Sequence, residues 1–213
     1  MTTDLFSDAK IIESWGKNAS SWTVAVREGQ IESRRLVTDQ AIVDTILSRS
    51  PRSVLDIGCG EGWLALELAS RNIDVVGVDV VPGLIDEARC AGGGDFRAMS
   101  YEDIAAGKLN ISVDVIVSNF ALLGKESAEG MFRAGLSLLN SHGSFLVQTL
   151  HPVVACGHLP CTDDGAKVHG PDSTLISQIR RGGISEPLKV GLNCSWIMDF
   201  SYVKYVSPST RIL

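Results

Sequence analysis

Three features of the chain predict a doubly wound α/β fold with a mostly parallel sheet. From Val54 to Leu150, short apolar runs alternate with segments of helical spacing, a pattern that dictates parallel strands joined by right-handed crossovers. The first of these runs, Val54-Leu55-Asp56-Ile57, opens into a turn with glycine at alternate positions, Gly58, Gly60 and Gly62. With 45% hydrophobic and 6% aromatic residues in 213, the chain has enough apolar surface for one well-buried domain.

Taken in order, the elements begin with a helix over residues 8–22, capped by Ser7 or Asp8. Trp15 and Trp22 stand in this arm, two of only four tryptophans. They either staple the arm to the core or shape a ligand pocket. Thr38–Ser48 repeats its apolar residues at helical spacing and packs on the sheet. Pro51 precedes the first strand, and Trp63–Ala69 follows its turn as a helix free of Gly and Pro. Ile73–Asp79 is the second strand; the next helix opens at Pro82 and stops at Gly92-Gly93-Gly94. Asp95–Ala98 is a short third strand, and Val113–Asn119 the fourth. A helix over Ser127–Leu139, a turn at Asn140–Gly143 and a fifth strand at Ser144–Leu150 complete the alternation. After His151 the chain is polar and broken by glycine, with room for one or two strands. The expected sheet therefore lacks its last strands and leaves strand five as an exposed edge.

The glycine turn carries the chemistry. Glycine permits positive φ and lets a ligand approach the backbone where a Cβ would collide. A dinucleotide fingerprint needs a small residue in its third slot, where this chain has Trp63. Asp56, two residues before Gly58, would repel a pyrophosphate but suits a ligand bearing an ammonium or sulfonium. Asp79 ends the second strand about 20 residues beyond the turn, where a carboxylate can accept both hydroxyls of a ribose. The other reading of Asp79 is a cap for the helix opening at Pro82. Asn119 sits at a strand's carboxyl end, where the ligand crevice of an open α/β sheet belongs; its side chain could equally cap the following helix. His151, just past strand five, is the only histidine at an expected strand end, and so the one suited to act as a base near neutral pH or to contact substrate; its other reading is a structural hydrogen-bonding role.

The run D-I-G-C-G-E-G-W-L resembles the first motif of the class I S-adenosylmethionine-dependent methyltransferases, and L-L-x-x-x-G-x-F-L-V is also typical of them. The resemblance implies a Rossmann-like fold, S-adenosylmethionine as cofactor and a small-molecule methyl acceptor. It puts Asp56, Gly58, Cys59 and Gly60 around the methionine and ribose, Asp79 on the ribose hydroxyls and Val80 against the adenine. Where the family usually has an Asp for the adenine amino group, this chain has Ser100, with the Tyr101 backbone N–H as a second candidate. Asn119 and Phe120 would line the methyl path. The implied organisation is a single domain over 1–213: a helical lid (1–50), a cofactor-binding core (51–150), and a lid or incomplete C-terminal part (151–213). The alternative is an inactive relative that binds the cofactor or a partner without turnover.

Other classes are disfavoured. A formal charge of -6 lacks the basic face of a nucleic-acid binder. No run approaches the roughly 20 apolar residues of a membrane span. Five scattered cysteines fit a reducing cytoplasm better than a disulfide framework. His151, Cys156, His158 and Cys161 follow no compact zinc spacing, so no metal is expected. The oligomeric state is left open.

Overall fold

A computed structural model describes residues 8–122, 125–150, 188–192, 194–198 and 201–206. Five parallel strands form the body of the sheet: β1 (Ser53–Ile57), β2 (Asp74–Asp79), β3 (Asp95–Ala98), β4 (Val113–Asn119) and β5 (Leu139–Leu150). Between them run α3 (Trp63–Ala69), α4 (Pro82–Ala91), α5 (Tyr101–Ala105) and α6 (Lys125–Leu138), preceded by α1 (Asp8–Arg27) and α2 (Asp39–Leu47). Near the C-terminus, β6 (Leu188–Leu192) and β7 (Cys194–Met198) pair antiparallel as a separate ribbon. A further strand, β8 (Ser201–Val206), runs antiparallel along β5.

The sheet order is β3-β2-β1-β4-β5-β8. The chain steps outward from β1 to β3, then returns to β4 on the other side of β1. Connections leave β1 and β4 in opposite directions, so a crevice opens at their carboxyl ends. Each face of the sheet has its own core. Val54, Val115, Val117 and Leu146 pack against Ile42 and Ile46 of α2 and Leu64 and Leu68 of α3. Leu55, Ile57, Ile116 and Phe145 pack against Ile104 of α5 and Met131 of α6. Leu55 and Ile57 are fully buried, each contributing about 1.5–3 kcal/mol by leaving water.

Four local features depart from the sequence-based expectation. Strand five is not the sheet's edge, because β8 occupies that position. The N-terminal helix runs to Arg27 rather than residue 22, held to α4 by Arg27, which donates to the Glu87 carboxylate (2.8 Å) and carbonyl (2.9 Å). The residues expected as a turn before strand five lie within β5, as an irregularity between the Val113–Leu139 and Val115–Ser144 pairings. A short helix, α5, starts after Ser100, whose hydroxyl accepts the Asp103 N–H at 3.2 Å as an N-cap. Among the described residues no helix is long and apolar enough to cross a membrane.

Candidate functional site

The three central strands change character in their last residues. From Val54 in β1, Val115 in β4 and Phe145 in β5 the strands run apolar until Asp56, Ser118-Asn119 and Gln148, and the buried polar side chains there cannot be packing choices alone. In register Asp56 lies opposite Val117, and Asn119 opposite Gln148. Alternation along the strands puts Asp56, Asn119 and Gln148 on the face covered by α2 and α3, in line with Val54, Val117 and Leu146. Asp56 is 2% exposed and Gln148 not at all. Each of the three keeps one buried oxygen without a hydrogen-bond partner: Oδ1 of Asp56, Oδ1 of Asn119 and Oε1 of Gln148.

Beside this row lies the glycine turn. Gly58, Gly60 and Gly62 have φ of +73°, +57° and +86°, a region that a Cβ disfavours. A Cβ on Gly58 would also collide with the side chain of Ala121. The Gly58 and Cys59 N–H groups both donate to the Val78 carbonyl, at 2.8 and 3.0 Å, and tie the turn to β2. Asp79 completes the tie. Its Oδ2 accepts the Gly60 N–H at 3.0 Å, and its Oδ1 accepts the Val81 N–H at 2.9 Å at the opening of α4. Both sequence-based readings of Asp79 remain compatible with this geometry, since each carboxylate oxygen retains a second acceptor position. Val80, half-buried, stands beside it.

A buried cation faces the turn from the other side. After α1 the chain makes a π-helical turn, Arg34–Thr38, closed by the Asp39 N–H donating to the Arg34 carbonyl. Arg34 is 8% exposed. Its guanidinium lies 5.6 Å from the Trp22 ring centre and 4.8 Å from that of Trp63, within cation–π range of both. Its Nε donates to Asp39 Oδ1 at 3.0 Å, and its Nη2 is buried without a partner. Trp22 in turn donates from Nε1 to Glu61 Oε2 at 3.1 Å, leaving Glu61 Oε1 unpartnered. Trp15 packs edge-on against Trp22, with ring centres 5.1 Å apart.

Three buried carboxylates therefore gather at the turn, and their charges are mutually costly. Burial first, then the neighbouring Asp79 and Glu61 charges, pushes the Asp56 carboxyl up to about 8, against a smaller lowering by Arg34. Burial likewise raises Glu61, opposed by backbone hydrogen bonding and by Arg34 and Trp22. It raises Asp79 as well, opposed by the backbone amides that Asp79 accepts. Cys59 belongs to the core between sheet and helices, and burial drives its thiol far up, so it is a packing group rather than a nucleophile.

Of the residues singled out from sequence, Asp56, Gly58, Cys59, Gly60, Asp79 and Val80 converge on the turn, and Trp22 reaches it through Glu61. Asn119 and Phe120 end β4. Phe120 adopts φ +57° and donates its N–H to the Gln148 carbonyl at 2.8 Å. Tyr101 joins them by donating its hydroxyl to the Ala121 carbonyl at 3.2 Å, against Gly58. Ser100 spends one acceptor position on its helix cap. His151 lies outside the described residues, as do Cys156, His158 and Cys161. Arg34, Thr38 and Gln148 were not anticipated, although Gln148 breaks the apolar run F-L-V near the end of the fifth strand, as Asp56 does in V-L-D. A cavity of about 560 Å³ lined by Asn72, Asp74 and Asp95 lies at the opposite, amino-terminal ends of β2 and β3, away from this cluster.

Comparison with known proteins follows the same outline. Residues 54–143 match the family model described as a methyltransferase domain. A ubiquinone biosynthesis O-methyltransferase of Xanthomonas euvesicatoria pv. vesicatoria (strain 85-10) is 32% identical over 114 residues, 51% of this chain and 47% of that protein. The chain thus spans about half the length of the curated relatives it matches. An uncharacterized methyltransferase of Mycobacterium tuberculosis (strain ATCC 25618 / H37Rv) is 43% identical over 49 residues, 23% of this chain and 20% of its own. Among solved structures, a plantazolicin methyltransferase in complex with a triazolic analog and SAH superposes with a TM-score of 0.51 at 21% identity, covering 82% of this chain and 70% of the other. That last likeness is one of fold.

Proposed function

We propose that this chain, which carries a class I methyltransferase domain, binds S-adenosylmethionine at the glycine turn and transfers its methyl group to a small-molecule acceptor. One observation carries the reading: a buried guanidinium nitrogen and three buried carboxylate or amide oxygens lie around the turn without partners, at Arg34, Asp56, Glu61 and Asn119. That set of opposite charges suits an amino acid, with a carboxylate for Arg34 Nη2 and an ammonium for the oxygens. It would be an expensive arrangement with nothing to satisfy it. The residues thus fit the cofactor at its charged end. At its other end Asp79, with an acceptor position left on each oxygen, would hold the ribose hydroxyls, Val80 would flank the adenine, and Ser100 and Tyr101 would frame it.

When bound, the cofactor supplies a methyl group activated by its positively charged sulfur. The protein's part is alignment and charge. Asn119 and Phe120, at the end of β4, line the side from which an acceptor approaches, and in-line displacement gains most from such positioning. Asp56, neutral below about pH 8, leaves the turn less negative than the count of carboxylates suggests. His151, directly after β5, is assigned to accept a proton from acceptors that must lose one. Trp15 and Trp22, on the arm that covers the turn, close the acceptor side. The relatives named as O-methyltransferases favour an oxygen nucleophile. Reducing-compartment cysteine usage supports a cytoplasmic location.

The test is incubation of the purified chain with methyl-labelled S-adenosylmethionine and a desalted small-molecule extract. Label recovered in a small organic product supports the proposal. Tight binding of the demethylated product with no transfer to any fraction would favour the alternative, a binding protein without turnover.

A further inference from the structure

Gln148 is the one residue of the buried polar row with no role in that reading. It is fully buried, yet it reaches from the carboxyl end of β5 to the far side of the site. Its Nε2 donates to the Thr38 carbonyl at 3.1 Å, across 110 residues of sequence. The amide orientation is chemically forced, because a carbonyl can only accept. Thr38 is the last residue of the π-helical turn, and Arg34 is its first. A π turn is a single loose turn of helix with few bonds of its own and is common at functional sites. Here the Asp39 N–H closes it from within, and Gln148 pins its end to the sheet.

We infer that Gln148 is a positioning residue: by anchoring the Arg34–Thr38 turn to β5, it aims the Arg34 guanidinium at the carboxylate end of the bound cofactor. Arg34 is already fixed laterally by Trp22, Trp63 and Asp39. The Gln148–Thr38 bond adds a direct tie between the turn's backbone and the strand bordering the site, and together with the packing of α2 behind the turn it fixes where the Arg34 backbone stands above the strand ends. The same strand residue passes its own carbonyl to the Phe120 N–H at 2.8 Å. Gln148 thus couples the turn that carries the cation to the loop that lines the methyl path. The inference rests on the proposed cofactor site, and the two can fail separately.

Two ligands separate a positioning role from a merely structural one. S-adenosylhomocysteine carries the amino-acid tail; 5′-methylthioadenosine keeps the nucleoside and sulfur but lacks the carboxylate and ammonium. Calorimetry of both is made on wild type and on Gln148→Met, close in shape but without the donor. Gln148→Asn, which keeps the amide but is one methylene too short to reach, is read in the same way should the Met variant fail to melt cooperatively. The expected result is a loss of about tenfold or more in affinity for S-adenosylhomocysteine, with 5′-methylthioadenosine unchanged within about twofold. Arg34→Ala should show the same split, and adding Gln148→Met to it should cost little more. Equal weakening of both ligands, or of neither, would overturn the inference while leaving the cofactor site standing. If wild type binds neither ligand, the cofactor site falls and the inference with it.

Discussion

Replacing Asp56 by Asn probes the electrostatic cost of the site before any ligand is known. The side chain is 2% exposed, with Oδ1 unpartnered and the Asp79 and Glu61 carboxylates close by. Its carboxyl is raised from an ordinary 3.8 to about 8 in the folded protein. The folded state therefore holds a proton that the unfolded chain has given up, and stability must fall as pH rises across that window. Each pH unit is worth about 1.4 kcal/mol for one such group. Between about pH 5 and pH 7 the Asp56 carboxyl alone should remove about 3 kcal/mol. Glu61 and Asp79 are raised too, so they steepen the trend in wild type and leave a residual slope in the variant. Asn has nearly the same shape and does not titrate. Urea unfolding at the two pH values, with a common m-value, should show wild type losing about 3 kcal/mol more than Asp56→Asn over the interval. Parallel losses in the two proteins would refute a carboxyl neutralised by burial at this position.

Two further outcomes follow from the same geometry. Trp22→Phe keeps a ring for Arg34 and Trp15 but removes the indole donor to Glu61 Oε2, in a side chain only 2% exposed whose Oε1 already lacks a partner. Unfolding should become easier by about 1–3 kcal/mol; a shift below about 0.5 kcal/mol, typical of a neutral surface change, would mean the indole N–H contributes nothing. His151→Ala should slow turnover with an identified acceptor while the dissociation constant for S-adenosylhomocysteine stays the same. Loss of both would make His151 structural.

The parts of this molecule that were legible in sequence are those governed by local rules. The alternation of apolar runs and helical segments determined the sheet, because buried parallel strands and amphipathic helices differ in period. The alternate glycines of D-I-G-C-G-E-G marked the turn, because three positive φ angles demand them. Asp79 was legible from its place at a strand end. The features that escaped depend on tertiary contacts. The π turn has no sequence signature, and Arg34 reads as one surface arginine among several until Trp22, Trp63 and Asp39 are seen around it. Gln148 acquires meaning only through a carbonyl 110 residues away. The helix after Ser100 is only five residues long, too short for periodicity to reveal it. The edge expected at strand five was closed by a strand at residues 201–206, which the weakly patterned C-terminal sequence did not announce.

Whether the turn and Asp79 together hold the cofactor's nucleoside is decided by titrating S-adenosylhomocysteine into wild type and Asp79→Asn and comparing heats. Wild type should bind saturably and one-to-one, and the variant about a hundredfold more weakly through loss of charge-assisted bonds to the ribose, with both proteins melting cooperatively. Equal affinity of the two would contradict this assignment, and so would a folded wild type that gives no heat with this ligand.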